Sequence, residues 1–576
     1  MALALTVLLP AFLAGFPAVV AASDDLRIVR VYYPDLATRN RIVISFESAL
    51  LETRYAEGYH VLEASQEDVD RLEAVGLVVQ DDPFYQPHSQ RVPGFTCYET
   101  VEETFAAAQA IVASYPDLAE WNDIGNSWEK DAALGGYDIM ALVLTNASTA
   151  GDKPKLLLTC AIHAREYATA ALCLDFAEYL VTGHGVEAET TWLLDHHEIH
   201  LVLQANPDGR KLAETGLYWR KNTNQNYCGA TSSARGADLN RNFPFQWSCC
   251  GGSSNNPCAN DYRGPAPTSE PEVSALVSYA QQIFTDQRGP DMEDVAPDDA
   301  TGVSIDVHSY GDLVLWPWGH TGTLAPNGIA LQTLGRKLAY ENGYWPDQAI
   351  GLYPTDGTTD DFFYGDLGVA AFTIELGTQF FEACNFYENT IRPDNIPTLV
   401  YATKATRAPY VTPSGPDVSA ISLAEDSVIR GQSVTLSADL DDTRYSGLNG
   451  AEASQNIAEA EYYIDSPPWE AGVAIAMAAA DGSFDSPVEA VNGTVETAVL
   501  SVGQHMLFVR GRDADGNWGA FSADFLTVEP SAVAPGLSAV ARIVLGFVVL
   551  VSGLGWFAAR PSSSGARPGR SRSGRD

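Results

Sequence analysis

The sequence predicts an α/β chain. A mixed central sheet with helices on both faces is preceded by a small α/β segment and followed by an all-β region and an apolar C-terminal helix. Three observations carry this. Between about 95 and 408, apolar strand-like runs alternate with helical periodicity, the pattern of a sheet covered on both sides. From about 413 to 530, short β-rich runs are separated by Gly, Asp and Asn. At 543–559 an uninterrupted apolar run lies between Arg542 and Arg560.

Taken in order, residues 3–22 are apolar and end Val20-Ala21-Ala22-Ser23, so 1–22 read as a secretory leader. Residues 23–92 hold strand-like runs at 26–33 and 41–46, a helical stretch at 66–75 and a further run at 76–80, with a linker at 83–93. In the 95–408 segment, helices are expected at 101–114 and 167–180. Strands are expected there at 139–144, 155–161, 199–205, 303–307 and 369–375. Within 413–530, runs at 433–436, 460–464, 497–500 and 505–510 suggest an immunoglobulin-like or fibronectin-like sandwich. A helix at 536–559 is near the lower length limit for spanning a bilayer, and the Arg-rich tail 560–576 would then be cytoplasmic. The same tail also resembles bacterial sorting signals that are cleaved off.

A formal charge of −40 argues against a nucleic-acid partner. Eight cysteines fit export to an oxidising compartment. Cys228, Cys249, Cys250 and Cys258 cluster around Asn240-Arg241. By position Cys228 with Cys258 is the first choice, with other connectivities open. A cysteine zinc site lacks paired Cys-x-x-Cys spacing.

The chemistry concentrates at Thr159-Cys160-Ala161-Ile162-His163-Ala164-Arg165-Glu166. A strand that stops where a helix starts puts His163 and Glu166 at a strand's carboxyl end, where open α/β sheets place ligands. Their three-residue offset lets an imidazole and a carboxylate reach one ion. His308 follows the run 303–307, and alone it would read as a structural histidine. Glu375 ends another apolar run, a position that suits a charge only if it faces a cleft. His196 and His200 are four apart, but the stretch from 199 onward reads as a strand, where that offset is roughly 13 Å, so the pair is structural.

Downstream lie Asn206-Pro207-Asp208-Gly209, Trp219-Arg220-Lys221-Asn222 and Asp238-Leu239-Asn240-Arg241-Asn242. Then come Ser304-Ile305-Asp306-Val307-His308-Ser309-Tyr310, Tyr353 and Phe372-Thr373-Ile374-Glu375-Leu376. In this order and spacing, over roughly 95 to 405, the set resembles the zinc metallocarboxypeptidase family typified by the pancreatic carboxypeptidases. The resemblance implies that fold and one Zn2+ per chain, held by His163, Glu166 and His308. It makes Glu375 the general base and Arg220 the oxyanion-stabilising cation. It assigns Asn240 and Arg241 to the substrate's terminal carboxylate and Tyr353 to closure over it. Arg165 and Tyr310 would line the pocket upstream of the cut. Asp360 falls at the base of the pocket for the departing residue, where a carboxylate suits Lys or Arg. Residues 23–92 match a family prodomain in size and pattern.

The expectation is therefore an exported zinc exopeptidase acting on peptide or protein C-termini. It would be a monomer held at the cell surface by its C-terminal helix, or released to the extracellular space or periplasm. One alternative is a cell-wall peptidase of the same fold that trims peptidoglycan stem peptides. Another is a non-catalytic surface-binding protein, against which the intact His163, Glu166, His308, Arg241 and Glu375 count.

Overall fold

The computed structural model of the chain describes residues 27–46, 50–54, 58–81 and 95–531. The leader at 1–22, the linker at 83–93, the apolar helix at 536–559 and the tail at 560–576 lie outside the described residues. Among the described residues, no helix is long and apolar enough to cross a membrane.

The N-terminal segment forms a sheet of β1 (Arg27–Tyr32), β2 (Leu50–Arg54), β3 (Tyr59–Ala64) and β4 (Val78–Asp81), in the order β2-β3-β1-β4. Its helices are Leu36–Ser45 and Gln66–Ala74. The strand expected at 41–46 is instead mostly the first of these helices. Ile42-Val43-Ile44 reads as strand by composition, but Asp35 caps a helix start by accepting the Thr38 N–H at 2.7 Å. Ile42 is then buried against Val29, Val31 and Leu72.

The central sheet comprises β5 (Ala119–Asn126), β6 (Asp138–Leu144), β7 (Lys155–Cys160), β8 (Glu198–Val202), β9 (Val303–His308), β10 (Leu313–Trp316), β11 (Trp345–Gln348) and β12 (Ala370–Glu375). The order is β11-β10-β12-β9-β7-β8-β6-β5. The four middle strands are parallel, while β10 and β6 run antiparallel to their inner neighbours. Every residue of β9 is buried, and so are nearly all of β7 and β12, so both faces of the sheet are covered. From β7 the chain steps to β8 on one side and later to β9 on the other. That reversal opens a crevice at the carboxyl ends of β7 and β9.

The C-terminal region is an eight-stranded sheet. It contains β13 (Asp417–Leu423), β14 (Ser427–Ile429), β15 (Ser433–Asp441), β16 (Ile457–Ile464), β17 (Ile475–Ala479), β18 (Val488–Glu496), β19 (Gly503–Asp513) and β20 (Ser522–Glu529). The order is β13-β15-β18-β17-β16-β19-β20-β14. Burial alternates strictly along β18, which places Val491 and Val495 in a core with Leu436, Leu440 and Tyr462. The strand expected at 497–500 is a 3-10 turn, Thr497–Val499. The Thr497 hydroxyl donates to the Gln432 carbonyl at 2.6 Å and accepts the Gly431 N–H at 2.9 Å, which ends β18 by local side-chain bonding. Tyr463, Phe508 and Phe521 belong to the same apolar cluster as Trp192, so this region packs directly on the central one.

All eight cysteines are paired, as Cys97–Cys384, Cys160–Cys173, Cys228–Cys258 and Cys249–Cys250.

Candidate active site

β7 ends at Cys160 and leads through a short loop into the helix Tyr167–Gly183. Thr169 in that helix fixes the loop, accepting the Ala161 N–H at 3.0 Å and donating to the Glu166 carbonyl at 2.8 Å. His163 and Glu166 are thereby aimed at the crevice, and His308 reaches it as the last residue of β9. The ligand atoms of His163, Glu166 and His308 all lie within 4.8 Å of one another, and all three residues are buried.

Their surroundings define which atoms face inward. His163 Nε2 is 3.0 Å from Asp238 Oδ1, and His308 Nε2 is 2.8 Å from Asp306 Oδ2. Asp238 and Asp306 can each hold a proton on Nε2, the tautomer that turns Nδ1 inward as a lone pair. The two Nδ1 atoms are 3.0 Å apart, with Glu166 Oε1 2.9 Å from one and Oε2 3.0 Å from the other. Two lone pairs so close repel unless a cation lies between them. Two imidazoles and a carboxylate are a donor set that fits zinc.

Asp238 also receives Arg220 through Nε at 2.9 Å and Nη2 at 2.8 Å. It caps the 3-10 turn Leu239–Arg241 by accepting the Asn240 N–H at 3.1 Å. Asn240 Oδ1 accepts the Thr359 N–H, and the Thr359 hydroxyl donates to Asp306 at 2.7 Å. Arg241 donates to the Asn240 carbonyl at 2.6 Å and to the Tyr353 hydroxyl at 3.1 Å. Glu375 ends β12 directly opposite His308 in the strand register. Burial pushes its carboxyl up to about 8, against the pull of His308, with Glu166 adding to the rise and Arg220 opposing it.

One cavity is lined by His163, Glu166, His308, Arg220, Asn240, Arg241, Tyr310, Tyr353, Asp360 and Glu375. Of the residues assigned to the site by the resemblance, Arg165 alone does not line it. Its buried guanidinium lies 4.0 Å over the ring of Phe380, which does. Tyr310 packs edge-on against the same ring at 4.7 Å. Asp360 is buried, and burial with the nearby Asp361 pushes its carboxyl up to about 7. Its Oδ1 accepts the Asp361 N–H at 2.9 Å, and that bond and the Thr358 hydroxyl oppose the rise, while Thr359 bonds Asp306 and the Asp361 carboxylate bonds the Gly319 N–H and His320. His196 ends the helix Ala188–His196, while His200 sits in β8 beside Tyr279 and Glu198, far from this cluster in its bonding.

Sequence reasoning assigned no role to Asp238 or Asp306, although both stood inside quoted motifs. Each precedes a named residue by two: Asp306 shares a face of β9 with His308, and Asp238 caps the turn that carries Asn240. The apolar wall made by Leu313, Leu315, Ala349 and Leu352 carried no sequence signal.

A family model described as zinc carboxypeptidase matches residues 105–395. A protein named zinc carboxypeptidase from Saccharothrix mutabilis subsp. capreolus is 33% identical over 326 residues, covering 53% of this chain and 68% of that protein. Carboxypeptidase B of Bos taurus is 31% identical over 289 residues, 48% of this chain and 62% of its own length, so less than two thirds of the bovine protein is spanned. The crystal structure of carboxypeptidase A from Helicoverpa armigera superposes with a TM-score of 0.54 at 20% identity, covering 67% of this chain and 98% of that one. The last comparison speaks to the fold alone.

Proposed function

The chain belongs to the zinc carboxypeptidase family, and from that premise we propose that it is an exopeptidase removing the C-terminal residue of peptides and proteins. The observation that carries this is the single cavity in which the His163–Glu166–His308 cluster, the Arg241–Tyr353 pair and Glu375 meet. His163, Glu166 and His308 would hold one zinc ion, which supplies a Lewis acid when bound. Arg241, oriented by the Asn240 carbonyl, takes the terminal carboxylate through parallel hydrogen bonds, with Asn240 beside it. Tyr353, already bonded to Arg241, closes over that end. Glu375 removes a proton from the attacking water and delivers it to the departing amine. Arg220, preorganised on Asp238, offers its guanidinium to the oxygen that gains charge. Arg165 and Tyr310 frame the upstream side through Phe380.

Asp360, buried in the cavity with no Lys or Arg ion pair among the described residues, supports a preference for C-terminal Lys or Arg, alone or alongside hydrophobic residues. The capped four-stranded segment supports a prodomain role for 23–92, and the alternating β15 and β18 support an immunoglobulin-like reading of 413–530. Complete pairing of the cysteines supports export. The deciding assay offers the purified full chain matched peptides with free and amidated C-termini. Cleavage confined to the free acids upholds the exopeptidase reading, and equal cleavage of both overturns it.

A further inference from the structure

The helix Gly328–Asn342 has two faces with different partners. One packs on β10, where a side chain on Gly335 would come 2.5 Å from the Trp316 ring. The other binds the C-terminal β region through charged residues. Arg336, only 4% exposed, donates to the carbonyls of Ser446 at 3.1 Å and Leu448 at 2.9 Å and to that of Asn449, and its Nε pairs with Glu452 at 3.1 Å. The neighbouring Lys337, 1% exposed, pairs with Asp417 at 2.9 Å. A buried guanidinium aimed at backbone carbonyls fixes the 446–450 loop in one conformation. Gly450 completes the fit, since a Cβ there would lie 2.5 Å from Arg336 Nη2 on a backbone already at φ +119.

This loop does more than dock. Asn449 Nδ2 donates to the Pro346 carbonyl at 2.9 Å. Pro346 belongs to β11, the last strand of the central sheet. Proline presents no N–H to that open edge, and its carbonyl would face solvent without Asn449. β11 runs into the 3-10 turn Ala349–Gly351 and then Leu352 and Tyr353, and Ala349, Leu352 and Tyr353 line the cavity. The opposite side of that wall is β10, whose Leu313 and Leu315 cluster with Ala349.

We propose that the 446–450 loop of the C-terminal region is a positioning element of the substrate cavity, clamping the edge strand that leads into Tyr353. The C-terminal region is then part of the frame of the site and not an independent appendage. This rests on the carboxypeptidase reading for its kinetic consequence but not for its structural one.

The test uses the full chain with Asn449→Ala and Arg336→Gln, compared by hydrogen–deuterium exchange and by steady-state kinetics on a free-acid peptide. The lost bonds should raise exchange over residues 345–353 by about five-fold, leave residues 155–166 unchanged, and raise KM by a similar factor at nearly constant kcat. Should Arg336→Gln fold poorly, Asn449→Ala, which removes the side-chain bonds to Pro346 and Asp347, carries the test, with Asn449→Gly as the control for a backbone held at φ 53. Unaltered exchange at 345–353 together with unaltered KM in Asn449→Ala overturns the proposal. A parent enzyme without peptidase activity would refute the functional reading while the exchange result still decides the clamp.

Discussion

His163 and Arg220 share one buried carboxylate: Asp238 places Oδ1 3.0 Å from His163 Nε2 and Oδ2 2.8 Å from Arg220 Nη2. On the proposed reading, a single side chain thus orients both a metal-facing imidazole and the cation assigned to the developing oxyanion. Asp238→Asn offers one acceptor where two are needed. Metal affinity should fall by about ten- to a hundred-fold, and kcat should drop further than the metal loss explains. A zinc titration with a chromophoric chelator, beside kinetics at saturating zinc, separates the two. Retention of both affinity and kcat would mean that Asp238 is only structural.

Removal of the metal should abolish turnover and lower the melting temperature, because an ion bound only by the native state stabilises it by mass action. His163→Ala should reproduce both effects without chelator. Metal analysis of the active chain should return one zinc. Full activity in a chelated, zinc-free sample would contradict the assignment of His163, Glu166 and His308.

Glu375→Gln keeps size and removes the carboxylate proposed as the base. The rate should fall by about a hundred-fold or more, while zinc content and binding of a product-like inhibitor stay near those of the parent. Arg241→Ala should divide the other way, raising KM for free-acid peptides by about ten-fold or more for a lost charge-assisted pair. A Glu375→Gln enzyme of normal rate would move the base elsewhere in the cavity.

Asp360 gives a prediction with a defined pH window. Its carboxyl is pushed from the ordinary 3.8 up to about 7, so it is neutral below that pH and anionic above it. The ratio of cleavage at Lys or Arg ends to cleavage at apolar ends should therefore climb as pH rises through about 7, and Asp360→Asn should flatten it. For stability the sign is opposite. A native pKa above the unfolded one means a contribution that is full below the unfolded value and lost as pH rises through the folded one. Asp360→Asn should accordingly melt higher than the parent at pH 8 and close to it at pH 4. A substrate ratio that ignores pH in both enzymes would leave specificity to other residues of the wall.

Much of this was legible in the residues because the signals were local. The helix Val101–Ser114 fills the span its periodicity predicts, since Thr100 and Glu103 form a reciprocal cap at its start. β9 and β12 read as buried apolar runs, and the residues that end them, His308 and Glu375, fall side by side through register alone. The 41–46 run failed because β-branched composition outweighed a cap lying upstream at Asp35. Asp238 escaped because its purpose shows only through a partner distant in sequence, His163, and Asp306 because its bond to His308, two residues on, gains meaning only once His308 faces the cluster. Trp345-Pro346-Asp347-Gln348 has no strand signature at all, and β11 exists through its pairing with β10 and the loop beyond it.

The apolar cluster that runs from Trp192 into Phe508 and Phe521 carries a thermodynamic consequence. Layers that share one interior cannot lose it separately, so the central and C-terminal regions should melt together in a single calorimetric transition. A chain cut near residue 408 would expose those rings beside the stranded charges of Arg336 and Lys337, and aggregation would compete with its refolding.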